Sequence, residues 1–329
     1  MKLFSAQAEL LCSLSEGVSD DVLVRALDKY FANSTLQLVG HESFIVKRVR
    51  EHSHEVENVA ILHEMLPHEH LVRIRRLIHN RWLLLEKVPS VFPSMRSMHD
   101  LLVHARTVPS DVVQSCLAQI VALLCAAQSQ DPLFAHNDFK ADNIMLRLED
   151  RPNPLRIGDY DVKHVGVRVV LIDMETVMGT RFAPVHLPEI PRDKLELFGL
   201  DPSMPWCEWT DFHLLCMELF RSVRDQQPKW SLSCLEFLSM CAPNIRMFST
   251  HEDKNILVTP MNRLSSKGRK TVNALLEAKS MKRLCEVATL PFLSPWLSPH
   301  NTFAATTSAV TETASDTIPM QAPATNDTT

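Results

Sequence analysis

Glycine is scarce in this sequence, with 7 among 329 residues. A glycine-rich phosphate-binding loop or a dinucleotide fingerprint needs several glycines at close spacing, so this scarcity weakens both interpretations. An excess of positive charge is also lacking, because 34 basic residues stand against 39 acidic ones and the formal net charge is −5. This balance argues against a nucleic-acid clamp and against a polybasic membrane binder.

Long hydrophobic runs and paired cysteines are lacking as well. The longest strongly apolar run, Ile120 to Ala127, is far shorter than the roughly 20 residues that cross a bilayer. The 8 cysteines are scattered without a C-x-x-C pair, and several stand in apolar stretches, as reduced core thiols do. We therefore expect no membrane span and an intracellular protein, in the cytoplasm or the nucleus.

The chain changes character twice. Residues 1–88 contain four strand-like pieces, Thr35–Val39, Ser43–Val49, Val72–Ile78 and Trp82–Val88, and a helix-like piece, His52–Leu66. Residues 89–300 are mainly helical. An amphipathic helix is predicted at Ser110–Gln128, with Ser110 as its N-cap, and a second helix at Thr210–Val223 has little polar surface, which predicts that it is buried. Residues 301–329 are rich in Thr, Ala and Ser without apolar periodicity, which predicts a disordered tail. The predicted fold class is α+β, with a small strand-rich part before a larger helical one.

The segment Phe134 to Leu146, FAHNDFKADNIML, carries the most informative pattern. Its polar residues follow the order H-x-D-x-K-x-x-N: His136, Asp138, Lys140 and Asn143. An apolar helix precedes the segment, and a strand-like run ends it. Two further polar residues interrupt or end apolar strand-like runs: Lys47 lies within FIVKRV, and Asp173 ends RVVLID.

These residue types together suit phosphoryl transfer from ATP. Asn143 and Asp173 offer hard oxygen ligands for Mg²⁺. Asp138 can accept the proton of an attacking hydroxyl, so it is the candidate catalytic base. Lys140 can hold the γ-phosphate as its charge moves, and Lys47 can hold the α- and β-phosphates.

Over roughly residues 30 to 290, the sequence resembles a divergent member of the eukaryotic-type protein-kinase superfamily. HNDFKADN stands in place of the catalytic loop H-R-D-x-K-x-x-N, LIDME in place of the D-F-G metal site, and FIVK in place of the V-A-I-K strand. RWLLLEKV resembles the hinge that receives adenine, with Leu85 as gatekeeper and backbone hydrogen bonds from Glu86 to Val88. WTDFHLLCMELF resembles the buried helix whose aspartate, here Asp211, braces the catalytic loop.

The resemblance implies a two-lobed kinase fold, with an N-lobe over 1–88 and a C-lobe over 89–300. It also implies an ATP- and Mg²⁺-dependent serine/threonine kinase that acts on a protein, because Lys140 is the residue that this branch keeps. An acidic residue should pair with Lys47. Glu57 fits best, since Ile61 follows one turn later on the same face, while Glu55 and Glu64 compete.

The sequence departs from this pattern before Lys47, after Asp173 and at Asn137. DKYFANST stands where the glycine lid belongs, so the backbone approach to the ATP phosphates is either poorer or supplied by Ala32, Asn33 and Ser34. Met and Glu replace the Phe and Gly of D-F-G, and Asn137 replaces the arginine that pairs with a phosphorylated activation loop. We therefore expect no regulation by activation-loop phosphorylation. The loop 148–169 is longer than usual. This divergence resembles kinases of large DNA viruses or haspin-like branches. A viral origin would place the protein in the host cell cytoplasm.

Two alternatives stay open. A small-molecule phosphotransferase, resembling choline or aminoglycoside kinases, also carries H-x-D-x-x-x-x-N, and the triplet His-Asn-Asp at 136–138 is its common variant. Lys140 and the hinge-like LLLEKV argue against it. A non-catalytic pseudokinase would explain the missing glycines, but it has no need to keep Asp138, Asn143 and Asp173 together.

Overall fold

The structure is a computed structural model, and it describes residues 19–31, 38–40, 44–49, 53–89, 95–149, 154–182, 208–241 and 283–300, with single positions at 263, 265, 266 and 269. The chain divides into two units, Met1–Ser298 and Pro299–Thr329. The predicted tail 301–329 and the segment Ala32 to Ser34 lie outside the described residues. The division at residue 88 into two lobes stays a prediction.

Four antiparallel strands form a sheet near the N-terminus. They are β1 (Leu38–Gly40), β2 (Phe44–Arg48), β3 (Ile74–Ile78) and β4 (Trp82–Glu86), in the order β1-β2-β4-β3. Each lies inside or within a residue of a predicted strand. β3 begins later than predicted, because Val72 donates its backbone N–H to Leu171 (3.0 Å) instead of pairing within the sheet. Lys47 lies opposite Leu83 in the register of β2 and β4.

A helix that the sequence pattern did not predict, α1 (Asp20–Phe31), precedes this sheet. The first part of DKYFANST, where a glycine lid was expected, forms its last turn. Leu23 and Leu27 are buried, and Asp28 accepts a hydrogen bond from Arg81 at 3.0 Å in the β3–β4 turn. The helix is therefore held to the sheet by apolar packing and by surface ion pairs.

Helix α2 (Glu55–Met65) follows β2 and presents one buried face. Glu55, Val59 and Leu62 follow one another at helical spacing, and all three are buried. Glu57 is exposed, because two residues along an α-helix turn a side chain by about 200°. This phase decides which acidic residue of α2 points into the protein.

Among the described residues after position 89, the α-helices are α3 (Met98–Val103), α4 (Ser110–Gln130), α5 (Glu208–Gln226), α6 (Ser231–Cys241) and α7 (Leu284–Val287). The expected helix starting near Ser110 is present, but Ser110 is its first helical residue and not its N-cap. Pro109, with extended backbone angles, occupies the N-cap position and no side chain caps the helix there. Ser97 caps α3 through a reciprocal capping box with Asp100.

Helix α4 is long and apolar enough, by length and composition, to cross a membrane, and it is the one such helix in the part of the chain that the structure describes. However, 72% of its most apolar stretch is buried inside the protein. Its buried apolar residues belong to the hydrophobic core, which also contains side chains of α2, α5 and α6. The packing of a core helix accounts for this composition.

A second antiparallel pair, β5 (Ile144–Leu148) and β8 (Val167–Leu171), carries the predicted functional segments at its ends. The connection between them falls within the predicted loop 148–169, although β8 begins earlier, at Val167. It contains a hairpin, β6 (Leu155–Ile157) and β7 (Tyr160–Val162), which forms a small sheet with β9 (Leu297–Pro299). Gly158 turns this hairpin with φ +55°, and a Cβ there would lie 2.9 Å from the Cβ of Ala126 in α4. The hairpin therefore packs tightly on α4. Together, the helices and small antiparallel sheets make the α+β class that the sequence predicted.

Candidate functional site

Lys47 joins two carboxylates from distant parts of the chain. Its Nζ lies 2.6 Å from Oε2 of Glu55 on α2 and 2.7 Å from Oδ1 of Asp173, which follows β8. The lysine side chain is 14% exposed and Glu55 only 2%, whereas Asp173 is 34% exposed. The strand lysine, the helix and the end of β8 thus meet at one point, and Asp173 forms its open side.

The electrostatics of this cluster keep Lys47 charged. Burial alone lowers the pKa of Lys47, but the carboxylates of Glu55 and Asp173 outweigh it, so the pKa lies above its ordinary value. Burial raises the pKa of Asp173, but Lys47 and the nearby His136 and Lys140 bring it below its ordinary value. For Glu55 burial dominates, and its pKa is raised.

The acidic partner of Lys47 is therefore Glu55, and the expected pairing with Glu57 is wrong. Ile61, which suggested the face of Glu57, is only partly buried. Glu64, the other competitor, forms an ion pair with Arg181 on the protein surface. The physical reason is the phase of α2, whose buried face begins at Glu55.

Asp138, Lys140 and Asn143 come together in the turn before β5. Lys140 Nζ lies 2.7 Å from Oδ2 of Asp138. Asn143 donates through Nδ2 to the same oxygen at 2.9 Å and to the backbone carbonyl of Asp138 at 2.8 Å. These bonds hold the Asp138 carboxylate in place, while the side chain remains 37% exposed. The base candidate is thus positioned and accessible to solvent.

Asp211, on the buried helix α5, fixes the backbone just before Asp138. Its two carboxylate oxygens accept hydrogen bonds from the N–H groups of His136 (2.6 Å) and Asn137 (2.9 Å). The residue is fully buried, and burial raises its pKa. The role expected for Asp211 as a brace of this loop is confirmed by these contacts.

The backbone after β8 is bonded to the same loop. Ile172 donates its N–H to the carbonyl of Asn143 (3.0 Å). Asn137 donates through Nδ2 to the carbonyl of Thr176 (2.8 Å), and the Thr176 hydroxyl donates to the carbonyl of His136 (2.9 Å). The turn that carries Asp173 is therefore aligned with the turn that carries Asp138.

Asn58 and Asp131 position this site without having been predicted. Asn58, one turn after Glu55, donates through Nδ2 to the carbonyl of Met174 (2.8 Å) and is fully buried. Asp131, at the end of α4, is also fully buried and accepts a bond from the N–H of Arg181 (3.1 Å). A polar residue on the apolar face of α2 was the one available signal for Asn58. Nothing in the local sequence pointed to Asp131.

The donor chemistry of Asn143 and Asp173 fits a magnesium ion. Nδ2 of Asn143 is turned to Asp138, which leaves its amide oxygen as the possible ligand atom. No cluster of three or more His, Cys, Asp or Glu residues that could hold a metal ion occurs within the described ranges. Magnesium commonly takes only one or two protein carboxylates and completes its shell with phosphates and water.

The two residues expected to contact adenine lie at the end of the first sheet. Glu86 is the last residue of β4, and Val88 follows two positions later.

Comparison with models of known protein families finds no match, and the curated proteins contain no significant match to this sequence.

Proposed function

We propose that this chain is a two-lobed, ATP- and Mg²⁺-dependent protein kinase that phosphorylates serine or threonine hydroxyls. The observation that carries this proposal is the double ion pair of Lys47 with Glu55 and Asp173. It joins a strand lysine, a helix glutamate and an aspartate that follows a strand. The backbone bond from Ile172 to Asn143 holds this aspartate beside the turn that carries Asp138. Such a grouping of one cation with carboxylates suits phosphate and metal recognition together.

In this proposal, each polar group has one task. Lys47 contacts the α- and β-phosphates, and Glu55 keeps it oriented from a buried position. Asp138 accepts the proton of the substrate hydroxyl, and Lys140 offers its charge to the transferred phosphoryl group. Bound Mg²⁺, held by Asn143 and Asp173, would neutralise phosphate charge.

Adenine would bind at the end of β4, where Glu86 and Val88 present backbone groups. Glu86 donates its own N–H to the carbonyl of Arg73 (2.8 Å), so that group is already used inside the sheet. Leu85, the proposed gatekeeper, is buried beside this position. We therefore assign the adenine contacts to the remaining backbone groups between Glu86 and Val88.

A small-molecule phosphotransferase is the second candidate, because the His-Asn-Asp triplet is common in such enzymes. The contacts of Asn137 give the asparagine another explanation. It adopts φ +64°, a left-handed conformation that asparagine tolerates, and its amide donates to Thr176. The asparagine is thus accounted for by the structure of the loop, whichever substrate is used.

The test is transfer of labelled γ-phosphate from ATP with Mg²⁺, to the protein itself and to a generic basic protein. We expect label on serine or threonine with the wild type and none with Asp138→Asn. Asp142→Asn is the matched control, because Asp142 lies in the same loop with a side chain that is 61% exposed. It should retain transfer.

Three outcomes would overturn the proposal. Equal transfer by wild type and Asp138→Asn would exclude Asp138 as the base. Labelling of amino alcohols or aminoglycosides but not of protein would favour the second candidate. Tight ATP binding by a folded protein without any transfer would indicate a non-catalytic nucleotide-binding module.

A further inference from the structure

A cavity of about 350 Å³ lies away from the candidate site, beside the hairpin of the long loop. It is bounded by the C-terminal end of α4, by the β6–β7 turn and by the start of α7. Its lining includes Cys125, Gln128, Tyr160, Arg283 and Cys285. The loop therefore supplies one wall of a cavity that would not exist without it.

The cavity contains the accessible thiols of the described part of the chain. Cys285 is exposed and Cys125 is half-buried, and neither forms a disulfide. The other described cysteines are buried: Cys116, Cys216, Cys234 and Cys241. Burial raises the pKa of Cys116 to about 12. A thiol must ionise and be reached to react, so reactivity should concentrate at this cavity.

Tyr160 connects the two thiols. Its hydroxyl is hydrogen-bonded with Cys125, and Cys285 lies close enough to interact with it electrostatically. Burial, and then these two thiols, raise the pKa of the Tyr160 hydroxyl, so it remains a neutral phenol at physiological pH. Helices α4 and α7, which carry the two cysteines, pack against each other. The two thiols thus belong to one local environment.

Two polar groups in the cavity lining suit an anionic ligand. Arg283 brings a guanidinium two residues before Cys285, while Asp159 on the β6–β7 turn adds a carboxylate to the same lining. The Nε2 atom of Gln128 is buried and has no hydrogen-bond partner in the structure. A buried donor without a partner is costly, and a carboxylate or carbonyl oxygen of a ligand would satisfy it.

We propose that this cavity is a modification site, at which Cys285 and Cys125 react with a small disulfide that carries carboxylates. The Cys285 thiol first loses its proton to solvent. Its thiolate attacks one sulfur of the disulfide, forms a mixed disulfide and releases the other half as a thiolate. The Cys125 thiol then loses its proton to solvent, and its thiolate attacks the Cys285 sulfur, forms the Cys125–Cys285 bond and releases the second half as a thiolate that takes up a proton. Overall, the small disulfide is reduced to two thiols, and the two cysteines are oxidised to a bond that links α4 to α7.

The experiment uses the full chain with Cys12 and Cys207, which lie outside the described residues, replaced by serine. The protein is treated with oxidised glutathione, and the products are assigned by intact mass and peptide mapping. We expect the starting protein to lose two hydrogens and to form the Cys125–Cys285 disulfide. Cys125→Ser should stop at a glutathione adduct on Cys285, and Cys285→Ser should form neither product. Cys234→Ser, which changes a buried thiol, should react like the starting protein.

Ligand recognition is tested separately, by rate. Arg283→Gln should slow the reaction with oxidised glutathione by at least about threefold, because it removes an attractive charge. It should not slow the reaction with cystamine, a disulfide that carries amines. Equal slowing with both reagents, or no slowing with either, would overturn the assignment of an anionic ligand. A stable adduct on Cys285 that Cys125 does not resolve, or modification spread over the buried thiols, would overturn the paired-thiol site. Neither result depends on kinase activity.

Discussion

The ammonium group of Lys47 lies 2.7 Å from the carboxylate of Asp173, although the two residues are 126 positions apart in the sequence. The same ammonium group lies 2.6 Å from Glu55. One positive and two negative charges therefore meet, and the more exposed carboxylate is that of Asp173. A cluster with this balance can accept a further cation at Asp173 while Lys47 stays charged.

Replacing Glu55 tests which acidic residue serves Lys47. Glu55→Gln keeps the shape of the side chain but removes a charge that is only 2% exposed. We expect the free energy of unfolding to fall by about 1–3 kcal/mol. Under the proposed function, we also expect phosphate transfer to fall at least about tenfold, because Lys47 loses its orienting partner. Chemical denaturation and the transfer assay measure the two effects. Glu57→Gln, an exposed change on the same helix, is the control and should alter neither; a larger effect at Glu57 would contradict the assignment.

Asp211→Asn tests the brace of the loop that carries Asp138. An asparagine offers only one acceptor oxygen, so either the N–H of His136 or the N–H of Asn137 loses its buried partner. We expect a loss of about 1–3 kcal/mol in the free energy of unfolding. Asp225→Asn on the same helix is the control, because Asp225 is 61% exposed, and it should stay within about 0.5 kcal/mol of wild type. Similar losses in the two variants would refute the brace.

Gly179→Ala tests how closely the segment after Asp173 approaches the end of α4. A Cβ at Gly179 would lie 2.3 Å from Oδ2 of the buried Asp131. Because that carboxylate also accepts the N–H of Arg181, it cannot move without breaking a bond. We expect destabilisation of about 1–3 kcal/mol in thermal unfolding. Thr180→Ala, at the exposed neighbouring position, should change little; an unaffected Gly179→Ala would show that the approach is looser.

The stability of the protein should depend on pH through His70. This side chain is fully buried, bonds through Nδ1 to the carbonyl of Val169 (2.8 Å), and burial lowers its pKa to about 4. The unfolded chain binds the proton at higher pH, near 6.5, so stability rises with pH between about 4 and 6.5. The free energy of unfolding that His70 titration removes, as the pH falls from about 6.5 to about 4, is at most about 3 kcal/mol.

Unfolding by urea across this pH range measures the effect. The wild type should lose stability as the pH falls, and His70→Gln should show a shallower slope over the same interval. His79→Gln, which changes an exposed histidine, should keep the wild-type slope. If His70→Gln retains the full slope, the titration belongs to other groups.

Local sequence information was sufficient for much of the fold and for the order of the site residues. Strands β2 and β4 and helices α2 and α4 follow from apolar periodicity, which depends only on neighbouring residues. Helix α1 and the hairpin at Leu155–Val162 were not predicted. The hairpin is stabilised by contact with α4 and by pairing with β9, more than a hundred residues later, and such contacts have no local signature.

The sequence by itself determined which chemical groups this protein has: a strand lysine, the H-x-D-x-K-x-x-N segment and an aspartate after an apolar strand. Only the tertiary structure decided which of these groups meet. The choice of Glu55 over Glu57 depends on the rotation of α2 about its axis, which packing of Val59 and Leu62 sets. The position of Asp173 depends on its ion pair with Lys47 and on the backbone bond between Ile172 and Asn143. Spacing along a chain fixes neither quantity, because both are properties of contacts that form only when the chain folds.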